Sequence, residues 1–134
     1  MSNLEEEILN SYKGILHWNF RNFREIPQIL FNDNYSVKDL YLKGNQIQTL
    51  PNQWQGFKHT LEQLHLDGNL IENVDEESLS EIENLIVLNL SKNSISSFNF
   101  KKLSNLTHLN LSANGLKGQL CDSIGNYTVK SQFN

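Results

Sequence analysis

One apolar phrase recurs along this chain and closes each time on an asparagine. Its copies are Val37-x-x-Leu40-x-Leu42-x-x-Asn45, Leu61-x-x-Leu64-x-Leu66-x-x-Asn69, Leu85-x-x-Leu88-x-Leu90-x-x-Asn93 and Leu106-x-x-Leu109-x-Leu111-x-x-Asn114. Asn45 to Asn69 and Asn69 to Asn93 each span 24 residues, and Asn93 to Asn114 spans 21. A weaker copy lies 24 residues before Asn45, with Leu16 and Trp18 in the paired apolar places and Arg21 in place of asparagine. A fixed period of this length marks a chain of stacked coils, each too small to bury its apolar face alone.

Within each phrase apolar and polar residues alternate over about five positions, the pattern of a short half-buried strand. Successive phrases stand too far apart for hairpins, so each strand is expected to pair parallel with the next. Ile47 and Leu50, Ile71 and Val74, and Ile95 and Phe98 return the chain inward after the asparagine. Pro27 and Pro51 then turn it to the outer side. Where strand bends into loop, interior N–H and C=O groups lose their partners. An amide side chain carries both a donor and an acceptor, so stacked asparagines are expected to form a hydrogen-bonded ladder of Asn45, Asn69, Asn93 and Asn114.

The phrases LYLKGNQIQTLP, LHLDGNLIENV, LNLSKNSISSF and LNLSANGLKGQL resemble the leucine-rich repeat family over roughly residues 13 to 124. That resemblance implies an α/β solenoid, a right-handed superhelix with a parallel sheet on its concave side. The 24-residue period with Leu-Pro is similar to the short intracellular members. The final phrase departs from the rest: one extra residue precedes Leu120, and Cys121 stands where proline is expected.

The expected organisation is an N-terminal capping helix in 1–14, a repeat domain of about five repeats in 15–124 with the last incomplete, and a C-terminal tail in 125–134. Ser2-x-x-Glu5 reads as a capping box, with Leu4, Ile8 and Leu9 on one helical face and Gly14 as the stop. Leu30, Trp54, Phe57, Leu79, Ile82 and Leu103 are expected as core on the outer side, as are Phe20 and Phe23 near the first coil. A helical turn is expected at 78–82. Residues 127–134 abandon the repeat pattern, which suggests a truncated or alternatively spliced product, or a tail packed over the last coil.

Length and charge narrow the function. The 134 residues suffice for one core, and the net charge of −4 comes with no concentrated Lys/Arg face, which argues against nucleic acid. The acidic residues between Glu72 and Glu83 read as a solvated face. The helix presents Glu5, Glu6 and Glu7, unlike a membrane-surface helix. No apolar stretch approaches the roughly 20 residues that span a bilayer. The single cysteine, Cys121, forms no internal disulfide and favours a reducing compartment. The N-terminus lacks the basic start and apolar run of an export signal, so a cytoplasmic location is expected, with cytoskeletal association a variant of it. Acceptor tripeptides for glycosylation at Asn34, Asn89, Asn105, Asn110 and Asn126 point the other way, toward a secreted recognition domain.

Strand residues that point away from the core form columns. The central column reads His17, Tyr41, His65, Asn89, Asn110. Asn19, Lys43, Asp67, Ser91 and Ser112 run on one flank, and Ile15, Asp39, Gln63, Val87 and His108 on the other. The partner-binding residues expected from this layout are His17, Tyr41, Lys43, His65, Asp67 and Asn89. The histidines share no column with a convergent carboxylate or thiol, so no zinc site, catalytic residue or cofactor is expected. Cys121 is not placed to act as a nucleophile with them. The function expected is a non-catalytic module holding a protein or peptide on its concave sheet. The alternative is a structural subunit of a larger cytoskeletal or axonemal assembly, docking through its C-terminal edge. The sequence leaves the oligomeric state open.

Overall fold

A computed structural model describes residues 3–31, 35–74, 79–98, 105–115 and 128–129, with side chains omitted at 97–98 and 128–129. The expectations that rest on Ser2, Asn34, Leu103, Leu120, Cys121 and Asn126 lie outside them.

Each repeated phrase forms a short strand: β1 (Ile15–His17), β2 (Asp39–Tyr41), β3 (Gln63–His65), β5 (Val87–Asn89) and β7 (His108–Asn110). They pair parallel in that order, with Leu16, Leu40, Leu64, Leu88 and Leu109 in register across the sheet. Two more strands, β4 (Asn73–Val74) and β6 (Ser97–Phe98), pair parallel where successive coils return. The inward leucines of the phrases are buried, together with Ile47, Ile71 and Ile95 after the asparagines. The core is therefore one continuous spine, as stacked coils require.

On the outer side the chain makes short 3₁₀ turns, Gln28–Phe31 and Gln55–Phe57, rather than α-helices. Leu30, Trp54 and Phe57 point into the core, as their places in the repeat predict. Phe31 stands edge-on to both Trp54 and Phe57, with centroids 5.7 and 5.4 Å apart. The indole N–H of Trp54 donates to the Pro51 carbonyl at 3.0 Å, so a buried ring leaves no orphan donor. The residues at 79–82 make a hydrogen-bonded turn, Ile82 N–H to Leu79 carbonyl at 3.1 Å, and no helix.

The asparagines carry out the expected task, each reaching one coil back. Asn69 Nδ2 donates to the Leu42 and Leu66 carbonyls at 2.9 Å each, while its Oδ1 accepts from the Ile47 N–H at 3.0 Å. Asn45, Asn93 and Asn114 repeat this set with Trp18, Leu66 and Leu90 as the earlier carbonyls. In the first coil Arg21 replaces the rung, and its backbone N–H donates to Asn45 Oδ1 at 2.9 Å.

A second regularity went unread in the sequence. The residue before each rung position is left-handed: Phe20, Gly44, Gly68, Lys92 and Ala113 have φ of 56°, 70°, 72°, 56° and 56°. Only glycine adopts this freely. Phe20 was expected in the core, but it is 68% exposed. Its left-handed backbone carries the side chain outward, where the ring lies against the bare α-carbon of Gly44. Phe23, by contrast, packs against the core and stands edge-on to Trp18 at 5.7 Å.

The N-terminal helix α1 runs Asn3–Leu9, shorter than the 1–14 segment allotted to it. Ile8 is buried and Leu4 packs on the core, whereas Leu9, expected on the same face, is 68% exposed. Gly14 does not stop the helix. It sits at φ +75° in the turn that brings the chain into β1, where an added Cβ would meet the Ser36 carbonyl at 2.6 Å. Near the other end, Thr128–Val129 forms β8, which pairs parallel with β7, so part of the expected tail extends the sheet. The sequence signal failed there because Val129 and Ser131 stand in place of the leucine pair, although Asn134 follows Val129 at the same five-residue offset as Asn114 follows Leu109.

Candidate concave-face binding site

The parallel register sets the central column residue by residue: His17 pairs with Tyr41, Tyr41 with His65, His65 with Asn89, and Asn89 with Asn110. Strands about 4.8 Å apart hold successive side chains at ring-stacking distance. The rings do stack. His17 and Tyr41 have centroids 4.9 Å apart and planes 17° from parallel; Tyr41 and His65 are 4.4 Å apart at 5°. His17 is exposed, whereas Tyr41 and His65 are half-buried. Burial pushes the His65 imidazole below its ordinary value, against the weaker upward pull of the Asp67 and Asp39 carboxylates. Its Nε2 lies 3.1 Å from Gln63 Oε1.

Beyond His65 the column changes character. Asn89 Oδ1 accepts from the Ser91 N–H at 3.1 Å and the Ser91 hydroxyl at 2.9 Å. Asn110 does the same with Ser112 at 3.0 and 2.7 Å. A backbone N–H can only donate, so it fixes which amide atom is oxygen. These small side chains leave an open hollow of about 320 Å³, lined by His65, Val87, Asn89, His108 and Asn110 above Leu88 and Leu109.

Of the six residues expected to bind a partner, His17, Tyr41, His65 and Asn89 form this continuous column. Lys43 and Asp67 flank it, and Asn19 Oδ1 accepts from the Lys43 backbone N–H at 2.8 Å. Lys43 and Asp67 form none of the ion pairs found among the described residues, so they present separate charges. Asp39, placed by sequence on the other flank, is 8% exposed, and its Oδ1 has no partner among the described residues. No group of three or more His, Cys, Asp or Glu suited to a metal occurs among the described residues. Within the same limits, no helix is long and apolar enough to cross a membrane.

Sequence reasoning missed a second polar contact set away from this face. Asn84 and Asn105, each just before a strand phrase, donate to the His59 and Glu83 carbonyls of the preceding coil at 2.8 and 2.9 Å. The signal was legible as an asparagine at the same place in two phrases.

Residues 59–116 match the family model described as Leucine rich repeat. With the parallel sheet and the asparagine ladder already in place, that match decides the fold. The chain is a leucine-rich repeat protein. Decorin from Bos taurus is 48% identical over 64 residues, covering 48% of this chain and 17% of decorin. Podocan from Mus musculus is 33% identical over 99 residues, covering 68% of this chain and 15% of podocan. The chain thus spans about a sixth of the length of these curated relatives. Among solved structures, a chain of the TLR13–ssRNA13 complex superposes with a TM-score of 0.62 at 32% identity, covering 72% of this chain and 14% of that one. A chain of the Toll–Spatzle complex from Drosophila superposes with a TM-score of 0.56 at 24% identity, covering 66% and 12%, a likeness of fold alone. These matches do not single out a short intracellular class of leucine-rich repeat protein. The leucine-rich repeat family and the matched relatives are non-catalytic, in keeping with the lack of a catalytic constellation in the sequence.

Proposed function

We propose that this leucine-rich repeat protein is a recognition module that holds a protein or peptide partner on its concave sheet. The observation that carries the reading is the row of stacked rings His17–Tyr41–His65, which runs without a break into the hollow beside Asn89. Rings with a polar edge supply apolar contact area at little entropic cost, and they recur as interface anchors. Lys43 and Asp67, unpaired with one another, can each meet an opposite charge on a partner. A net charge of −4 with acidic groups on this face disfavours a phosphate backbone, so a polypeptide is the better fit than the nucleic acid named with TLR13.

The test is capture of partners from native tissue with the intact protein and with the Tyr41→Ala/His65→Ala double variant, read by mass spectrometry. The wild type should enrich a defined set of proteins that the variant loses, while the unfolding midpoints of the two stay close. An unchanged set of captured proteins would overturn the reading.

A further inference from the structure

The ring column ends on His65 at the wall of the hollow, and the chemistry of the hollow completes it. Tyr41 covers one face of the His65 ring, and the opposite face is turned toward β5, where Asn89 stands at the next register position. A fourth ring at that place would sit one strand spacing, about 4.8 Å, from His65. The hollow there measures about 320 Å³. That is the lower end of small-ligand clefts, which run to about 300–1,000 Å³, and gives room for one aromatic side chain.

The polar groups narrow the guest further. The Ser91 and Ser112 clips occupy the Oδ1 atoms of Asn89 and Asn110, which leaves their Nδ2 groups with no acceptor among the described residues. The hollow therefore joins one π face to two amide donors. A phenol matches both, its ring stacking on the imidazole and its oxygen accepting from an amide. Burial disfavours the charged form of the His65 ring, which suits its use as an aromatic face. A nucleobase would also offer a ring with acceptors, but its phosphates would meet the carboxylates of Asp67 and Asp39 on the same face.

We infer that the hollow between His65, Asn89 and Asn110 is a specificity pocket for a tyrosine side chain of the partner, which inserts as the fourth member of the ring column. This rests on the concave-face reading above and assigns it a residue-level determinant.

The test is a nuclear magnetic resonance titration of the full chain with the capped tripeptide acetyl-Gly-Tyr-Gly-amide. Its phenylalanine and leucine counterparts and an oligouridylate serve as comparison probes. The tyrosyl peptide should give saturable shifts at the side-chain amides of Asn89 and Asn110 and at the His65 ring. The phenylalanyl peptide should bind about tenfold more weakly, the worth of one hydrogen bond of about 1.4 kcal/mol, and the leucyl peptide more weakly still. Asn89→Asp keeps the Ser91 clip but replaces the donor, and should weaken tyrosyl binding by a similar factor with the spectrum otherwise unchanged. Asn89→Phe should fill the pocket and abolish binding. No saturable shift, equal binding of tyrosyl and leucyl peptides, or preference for the oligouridylate would overturn the proposal. Partner capture that is lost with Tyr41→Ala yet survives Asn89→Phe would overturn the pocket while leaving the concave-face reading standing.

Discussion

At the scale of single residues, stability is concentrated in the amide rungs. Each rung is a side chain fully used by backbone groups of two adjacent coils, so its removal strands several buried donors and acceptors at once. Asn69→Ala should destabilise the protein by roughly 1–3 kcal/mol in denaturant titration, the penalty for buried polar groups left unpaired. Asn93, half-buried where the others are buried, should cost less. The left-handed position before each rung gives the opposite kind of prediction. Lys92 and Ala113 pay for a backbone conformation that Gly44 and Gly68 adopt freely. Lys92→Gly or Ala113→Gly should raise stability by a few tenths to about 1 kcal/mol, once the entropy cost of glycine is deducted. Gly68→Ala should lower it. An equal effect of both substitutions in calorimetry would show that the φ pattern carries no strain.

At the scale of elements, the helix is tied to the first coil through Arg21, the residue that breaks the asparagine pattern. Its guanidinium donates to both Glu7 oxygens at 2.8 and 2.9 Å, and the Trp18 indole N–H reaches the same carboxylate at 3.2 Å. Both charged side chains are 37% exposed, so the pair is worth at most about 1 kcal/mol. Arg21→Ala should therefore barely change global stability, but should speed hydrogen exchange within α1. Its hydrogen bond to Arg21 holds the Glu7 carboxyl below the usual value of 4.5, so the folded state binds this proton more weakly than the unfolded one. The tie contributes in full above that usual value and is lost as pH falls through the lower folded one. Glu7→Gln should remove this acid-range loss of α1 protection. The element scale also shows what the sequence could and could not tell. The inward leucines announced the sheet and its register, because alternation and period leave no other way to bury them. The ring column followed from that register. The Arg21 tie and the exposed Phe20 did not, since one depends on a helix angle and the other on a sign of φ that no pattern of polarity encodes. The hollow was equally hidden, because the step from rings to the smaller Asn89 and Asn110 reads in the sequence as a change of polarity and not as open volume.

For the whole molecule, contacts run between neighbouring coils, and stability approximates a sum of coil and interface terms. Strands β2, β3, β5 and β7 have a partner on both sides, whereas β1 has β2 on one side and the turn through Tyr12 on the other. Hydrogen exchange under native conditions should be slowest in β2, β3 and β5 and faster in β1, as a one-dimensional array frays from its margins. Uniform protection across all strands would mean a single cooperative unit instead.

Because every amide rung reaches only to the coil before it, nothing among the described residues measures how many coils there are. Duplicating one 24-residue period in the gene would add a floor to the tower and lengthen the sheet by about 4.8 Å, while leaving the surroundings of every other coil as they were. Growth and shrinkage of this protein by whole periods are thus open to evolution at little risk; the outer segment also tolerates a period of 21 residues, whereas the spacing within each leucine–asparagine phrase is the same in all four copies.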